Sequence, residues 1–414
     1  MSGASEISRC EVCGNGVLHP VLDLGLNPLC DDLVPVGDAR VCAEYPIEIL
    51  FCRRCSTAHQ HFQVPKEKLF PRSYHYRSRF TADVLAGMDE LVASCERRLG
   101  QLNGKTVLDV GCNDGSLLDR FAAKGARTIG VEPTDACSDG ESRGHRLYQR
   151  YFDVAAAKTI RAEHGTLDIV TFTNVFAHIE DLEGLIAALK AVLSDRTTIV
   201  IENHYLGSVL DRDQFDTFYH EHPRTYSLSS FAPIAQKVGR ELADVEFPSR
   251  YGGNIRVFMG AKPAAATERD AIAGILAGES TFAERFADLK RHVERWRSAT
   301  GERLANLVAQ HGPLSAKAFP GRAAILLRLL GADTEVIAEV FEKPGSMKIG
   351  HYVPGTRIPI RSDDELFARA VPPTLLVNLA WHIPMEIGRY LTDRGYRGHI
   401  VQIHEPELLG VPGE

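Results

Sequence analysis

The run VLDVGCNDGSLL, residues 107–118, constrains the fold of this chain more than any other stretch. An apolar strand, TVLDVG (106–111), leads into a turn holding Gly111 and Gly115. The stretch SLLDRFAAKG (116–125) then reads as a helix that Gly125 is placed to end. RTIGVEP (127–133), LDIVTFTNVF (167–176) and TTIVIEN (197–203) read as further strands, with a helix over 183–193 between the last two. Strands alternating with helices predict a mostly parallel α/β sheet. A glycine turn after its first strand lets a nucleotide-like ligand reach the backbone.

The charges in that turn choose between ligand classes. Gly111 and Gly115 do not complete the G-x-G-x-x-G spacing that seats a pyrophosphate on a helix N-terminus. Asp109 precedes the turn, and Asn113 and Asp114 lie within it. Negative charge there opposes a dinucleotide such as NAD. It suits S-adenosylmethionine, which carries an ammonium and a sulfonium and no phosphate. Glu132, followed by Pro133, ends the second strand, where a carboxylate can accept both ribose hydroxyls. Asn174 to His178 follow the third strand and should line the same crevice. His178 as a helix-start residue without chemistry is the alternative.

Ahead of this unit lie two paired cysteines, Cys10-x-x-Cys13 and Cys52-x-x-Cys55. Two such pairs close a tetrahedral thiolate zinc site with no open position for a catalytic water, so the zinc is expected to be structural. A redox pair is disfavoured because two copies occur before any strand–helix unit. The other cysteines (Cys30, Cys42, Cys95, Cys112, Cys137) show no pairing, which fits a reducing compartment. Net charge is -7, which argues against nucleic acid as the main partner. No apolar run is long enough for a membrane span, and MSGASEISRCEVCG lacks a secretory pattern. These features predict a soluble cytoplasmic protein. Nothing presents a self-complementary stripe, so a monomer is expected.

The remaining chain divides as follows. Residues 1–70 are short on regular pattern and hold the zinc site; 71–262 form the cofactor-binding domain. Residues 263–311 are Ala-, Glu- and Arg-rich and read as one or two exposed linking helices whose charges are solvated. Residues 312–414 form a second α/β domain with strands at 314–319, 334–341, 374–381 and 399–403 and a helix at 321–331. The Gly- and Pro-rich loop EKPGSMKIGHYVPGTRIPI (342–360) is long enough to suggest function. Its Lys343, Lys348, His351 and Arg357 suit an anionic part of a substrate.

TFYHEH, residues 217–222, gathers the common proton-handling side chains. A metal site lacks an evident third ligand, and a hydrogen-bonded polar turn is the plain alternative. In an extended segment Tyr219 and Glu221 face away from His220 and His222; a turn changes that grouping.

Taken together, the paired cysteines, SYHYRS (73–78), VLDVGCNDGSLL, FDTFYHEH (215–222), YGGNIRVF (251–258) and YVPGTRIPI (352–360) resemble one family over nearly the full length. It is the three-domain S-adenosylmethionine-dependent sugar C-methyltransferases of deoxysugar biosynthesis, which act on nucleotide-linked 4-keto-deoxysugars and include C-3 methyltransferases of antibiotic sugar pathways. The resemblance implies a small N-terminal zinc-binding domain, a class I methyltransferase Rossmann-like centre and a C-terminal Rossmann-like domain, with a small-molecule substrate between the last two. It implies that Tyr219, Glu221 and His222 face the substrate, that His222 is the base, with His220 the alternative, and that Tyr76 closes over the cofactor. The chemistry is proton removal beside a ketone followed by methyl transfer to carbon; O- or N-methylation of a related sugar is the competing outcome. Three departures from the family pattern fall where substrate contacts are expected: AKAFPGR (316–322), Tyr251 to Asn254, and AWH at 380–382.

Overall fold

The computed structural model describes residues 3–70, 77–80, 82–249, 252–261 and 266–404. Tyr76 and Tyr251 lie outside the described residues. The centre is a seven-stranded sheet in the order Glu241–Glu246, Asn254–Gly260, Thr198–His204, Ile169–Thr173, Thr106–Val110, Arg127–Val131, Arg146–Tyr148. The strands from Thr198–His204 onward are parallel, whereas Asn254–Gly260 runs antiparallel to both neighbours. The parallel strands read as apolar runs because both faces are covered; every residue of Thr106–Val110 is buried. The antiparallel edge strand Glu241–Glu246 escapes the sequence pattern, since ELADVE is charged and only half-buried.

Strand order reverses beside Thr106–Val110. The chain first moves outward through Arg127–Val131 and Arg146–Tyr148, then returns to lay Ile169–Thr173 on the other side. In open parallel sheets a crevice forms at the carboxyl ends of the strands at such a reversal. A second sheet repeats the pattern. Its parallel strands stand in the order Ile360–Ser362, Ile337–Glu342, Leu314–Lys317, Leu375–Asn378, His399–Gln402. Its reversal falls between Leu314–Lys317 and Leu375–Asn378, so the segments that follow them, Ala318–Arg322 and Leu379–His382, stand at a second crevice.

Two expectations are corrected. Residues 1–70 hold an antiparallel sheet, not irregular chain: His19–Pro28 pairs with Glu44–Cys52, which pairs with Thr57–Gln60. Register shifts between Pro20 and Leu22 and between Asp23 and Leu26 break the alternation that would have revealed it. The strand Arg224–Thr225, two residues beyond TFYHEH, completes this sheet at Thr57–Gln60. The linker is not a pair of solvated helices either. Helix Phe282–His311 buries Phe282, Phe286, Leu289, Val293, Trp296 and Leu304. Those residues share one core with Phe51 of the first domain, Phe215 and Phe218 of the second and Ile325 of the last. Their three- and four-residue spacing is a helical stripe, hidden by the abundance of charge around it. Among the described residues no helix is long and apolar enough to cross a membrane.

Candidate active site

The four cysteines converge. Cys10 and Cys55 sulfurs lie 3.5 Å apart, Cys13 and Cys52 sulfurs 3.6 Å, and all four fall within 4.8 Å of one another. A zinc ion with bonds of about 2.3 Å to a tetrahedron of sulfurs needs separations of ~3.8 Å. The turn that presents the first pair is fixed by Cys10 N–H donating to the Asn15 carbonyl and Cys13 N–H donating to Cys10 Sγ. The thiolate set fits zinc.

The glycine loop is built for close approach. Gly111 sits at φ +71°, and a β-carbon there would meet the Val175 methyls at 2.6 Å. Gly115, also left-handed, opens helix Ser116–Ala123. Asn113 is left-handed as well, and its side-chain oxygen accepts the Ser78 N–H at 3.0 Å. Glu132 accepts from Asn113 N–H at 3.0 Å and from Thr134 N–H and hydroxyl at 2.9 and 2.6 Å. Asp109 is buried under the turn and accepts the Thr171 hydroxyl at 2.7 Å. Burial pushes its carboxyl up to about 7, with the Glu132 charge adding and the Thr171 hydrogen bond opposing. Asp114 is used differently: one oxygen caps the helix at Ser116 and the other accepts the Arg79 N–H at 3.0 Å. Asn174, left-handed, takes a hydrogen bond from Asn254 at 3.4 Å, and Pro133 is half-buried beside Glu132. Gly111, Glu132 and Asn174 thus stand at the carboxyl ends of three adjacent strands. An acidic, glycine-lined crevice without a free phosphate seat fits S-adenosylmethionine.

TFYHEH forms a turn, closed by His222 N–H donating to the Tyr219 carbonyl at 2.9 Å. The turn regroups the side chains. His220 points away to the first domain, where Nε2–H donates to the Tyr45 carbonyl at 3.1 Å. Tyr219 and His222 stay together, ring centroids 4.2 Å apart. His222 also meets His178 at 4.9 Å and His204 at 5.5 Å. Its Nδ1–H donates to the Thr217 carbonyl at 3.1 Å, which leaves Nε2 as the acceptor. Burial, then His178 and His204, hold His222 well below the usual imidazole range. Burial likewise brings His178 down to about 4 and His204 to about 3. Glu221 is buried; burial first, and the Asp31 charge second, hold its carboxyl well above its usual range, with Lys348 opposing.

Several residues at this site are not among those the sequence marks as catalytic or cofactor-binding. Asp216 of FDTFYHEH crosses to the last domain, accepting Trp381 Nε1–H at 2.9 Å and lying 3.3 Å from Arg322 Nε. Arg322 and His382, two of the departures, therefore stand at the histidine cluster, and Arg322 contributes to the low pKa of His204, His222 and His382. His204 ends its strand and was identifiable only by counting along TTIVIENH. The basic loop is bound elsewhere in part. Arg357 donates to the carbonyls of Asp38, Ala39 and Arg40, and His351–Tyr352 pairs with Val34–Pro35. Lys348 donates to the Phe319 carbonyl at 2.8 Å, and the Lys343 ammonium sits over the Tyr390 ring.

A glycine-lined acidic crevice facing a histidine cluster across two α/β sheets defines an S-adenosylmethionine-dependent methyltransferase with a zinc-bearing first domain. Family models agree: residues 80–245 match a methyltransferase domain, 249–401 a C-methyltransferase C-terminal domain, and 10–70 a zinc-binding domain. The C-methyltransferase NovU of Streptomyces niveus is 30% identical, covering 97% of each chain. The chain belongs to this C-methyltransferase family. A ubiquinone biosynthesis O-methyltransferase of Paraburkholderia xenovorans is 25% identical over 35% of this chain and 68% of its own. Among solved structures, protein PH0226 of Pyrococcus horikoshii covers 47% of this chain and 98% of its own at 15% identity, with a TM-score of 0.36.

Proposed function

We propose that this C-methyltransferase methylates the carbon beside the ketone of a nucleotide-linked 4-keto-deoxysugar through an enolate, with His222 as the base. One observation carries the reading: the Thr217 carbonyl fixes the His222 tautomer, so that Nε2 is the acceptor within the histidine cluster. The sugar part of the reading rests on the FDTFYHEH resemblance.

Bound S-adenosylmethionine supplies a methyl group already activated by its sulfonium. Gly111, Asn113, Glu132 and Asn174 would hold it, with Asp109 beneath the turn. His222 Nε2 takes the proton from the carbon next to the carbonyl. Its low pKa keeps it neutral at physiological pH and ready to accept. Tyr219, whose hydroxyl burial holds well above its usual range, stays protonated and serves as a donor. Glu221 binds a sugar hydroxyl. His178 packs on His222 and limits its tilt.

Incubation with thymidine diphosphate 4-keto-6-deoxyglucose in heavy water tests this. Deuterium uptake beside the ketone, and a carbon-bound methyl group once S-adenosylmethionine is added, are the expected results. A methyl group on oxygen or nitrogen would sink the enolate mechanism.

A further inference from the structure

We infer that Arg322 is the group that stabilises the enolate oxygen; this rests on the enolate reading above. The argument begins with position. Arg322 follows the strand Leu314–Lys317 at the reversal point of the second sheet, and His222 and His204 stand at the crevice of the first. The side chain is 10% exposed, so a cation is held almost dry. Asp216 fixes it through Nε at 3.3 Å, and the Trp381 ring lies 5.6 Å from its central carbon. Those contacts leave Nη2 buried with no hydrogen-bond partner among the described residues. A buried, unpartnered guanidinium N–H is costly, and native sites keep one where a ligand completes it.

The neighbouring groups agree. Around Arg322 the Asp216 Oδ1, His382 Nδ1 and both His404 nitrogens also lack partners among the described residues. Orphaned polar atoms grouped about one buried cation leave hydrogen-bonding capacity that a polar molecule would complete. Arg322 is the cation that the pKa shifts of His204, His222, His382 and Tyr219 share as a cause, so its charge lies near the cluster. The same geometry answers a chemical need. An imidazole with depressed basicity removes a carbon-bound proton only if the charge left behind is strongly stabilised. In the first step the proton goes to His222 Nε2, the C–H electron pair becomes a C=C bond, and the carbonyl π pair moves onto oxygen, where Arg322 Nη2–H meets it. In the second the enolate carbon bonds to the methyl group, the carbon–sulfur pair stays on sulfur, and the carbonyl reforms.

The test uses the full-length protein with its zinc and thymidine diphosphate 4-keto-6-deoxyglucose as the probe. Wild type, Arg322→Gln and Arg322→Ala are compared for deuterium uptake beside the ketone, methyl transfer, calorimetric S-adenosylmethionine affinity and melting temperature. Arg322→Gln is expected to lose about 100-fold or more in exchange and in kcat together. Cofactor affinity should hold and KM should change by less than about threefold, while the melting temperature falls in both variants because Asp216 loses its buried cation, so rates are read per folded molecule. Free guanidinium ion should restore part of the exchange in Arg322→Ala. Exchange within about threefold of wild type in Arg322→Gln, or a loss confined to KM, overturns the assignment. A loss that accompanies weaker cofactor binding, or that disappears when rates are counted per folded molecule, also overturns it, since Arg322 would then act through the fold. Wild-type protein that exchanges nothing overturns the enolate reading itself, and this role with it.

Discussion

Arg224 Nη1 donates to the Glu11 carboxylate at 2.6 Å, and Glu11 stands inside the Cys10-x-x-Cys13 turn. The guanidinium is fully buried and also donates to the carbonyls of Ile179 and Glu180, directly after His178. Arg224 is itself two residues beyond His222. One side chain therefore ties the zinc turn to both ends of the His178–His222 contact.

Glu11→Gln leaves the fully buried Arg224 without its carboxylate; because Glu11 is 23% exposed, the cost falls below the ~3–5 kcal/mol of a fully buried pair. The expected outcome is a melting temperature lowered by several degrees with zinc content unchanged, and turnover reduced beyond what the folded fraction explains. Metal analysis alongside calorimetric melting and activity per folded molecule checks this. Full activity in the folded variant would confine Glu11 to the zinc turn.

Zinc itself is held by residues drawn from the end of one strand and the turns around it. Cys10, Cys52 and Cys55 are buried in the same core as Tyr226, Leu228 and Phe231 of the methyltransferase domain. Cys55→Ser is thus expected to lose the metal and to lose soluble protein as well. Atomic emission should read one zinc per wild-type chain and none for the variant. Soluble, active, zinc-free protein would contradict the structural role.

How much of this could be read from the sequence follows from what each feature depends on. Thr106–Val110, its glycine turn and helix Ser116–Ala123 are local in sequence and were legible as strand, turn and helix. The paired cysteines were legible because ligand spacing is short-range within each pair. The grouping within TFYHEH was not, because it depends on whether Tyr219–His222 turns or extends. Asp114 also carried no sign that its two oxygens would be taken by Ser116 and Arg79. Arg322 and His382 were visible only as departures. Their approach to His204 depends on contacts between the second and last domains, such as Asp216 with Trp381 and Arg322, and no run of neighbouring residues encodes that.

Asp109 gives a pH-dependent prediction. Its folded pKa of about 7 lies above the ordinary 3.8. A raised carboxyl pKa contributes stability that is present below 3.8 and lost as pH rises through about 7. Cofactor-free wild-type protein should therefore lose melting temperature between pH 6 and pH 8 more than Asp109→Asn does, since the amide has no charge to bury. Asp109→Asn should also weaken S-adenosylmethionine binding at pH 8, because a carboxylate that faces a cation is gone. Calorimetric affinities at both pH values decide it; unchanged affinity would remove Asp109 from the cofactor's surroundings.

The last prediction separates the two histidines. His220 donates to the Tyr45 carbonyl, and burial takes it down to about 4. Asparagine at that position can still donate, so His220→Asn should keep turnover within a few-fold of wild type. His222→Asn leaves no group able to take a proton at that place, and general-base loss of about 10²–10⁴ in kcat is expected with cofactor affinity preserved. The pH profile supplies an independent check. A free imidazole would cut activity as pH falls through about 6.5. His222 is held well below that range, so kcat/KM should stay level through the ordinary imidazole pKa and fall only in more acidic solution. Loss of turnover in His220→Asn with turnover kept in His222→Asn would move the base to His220.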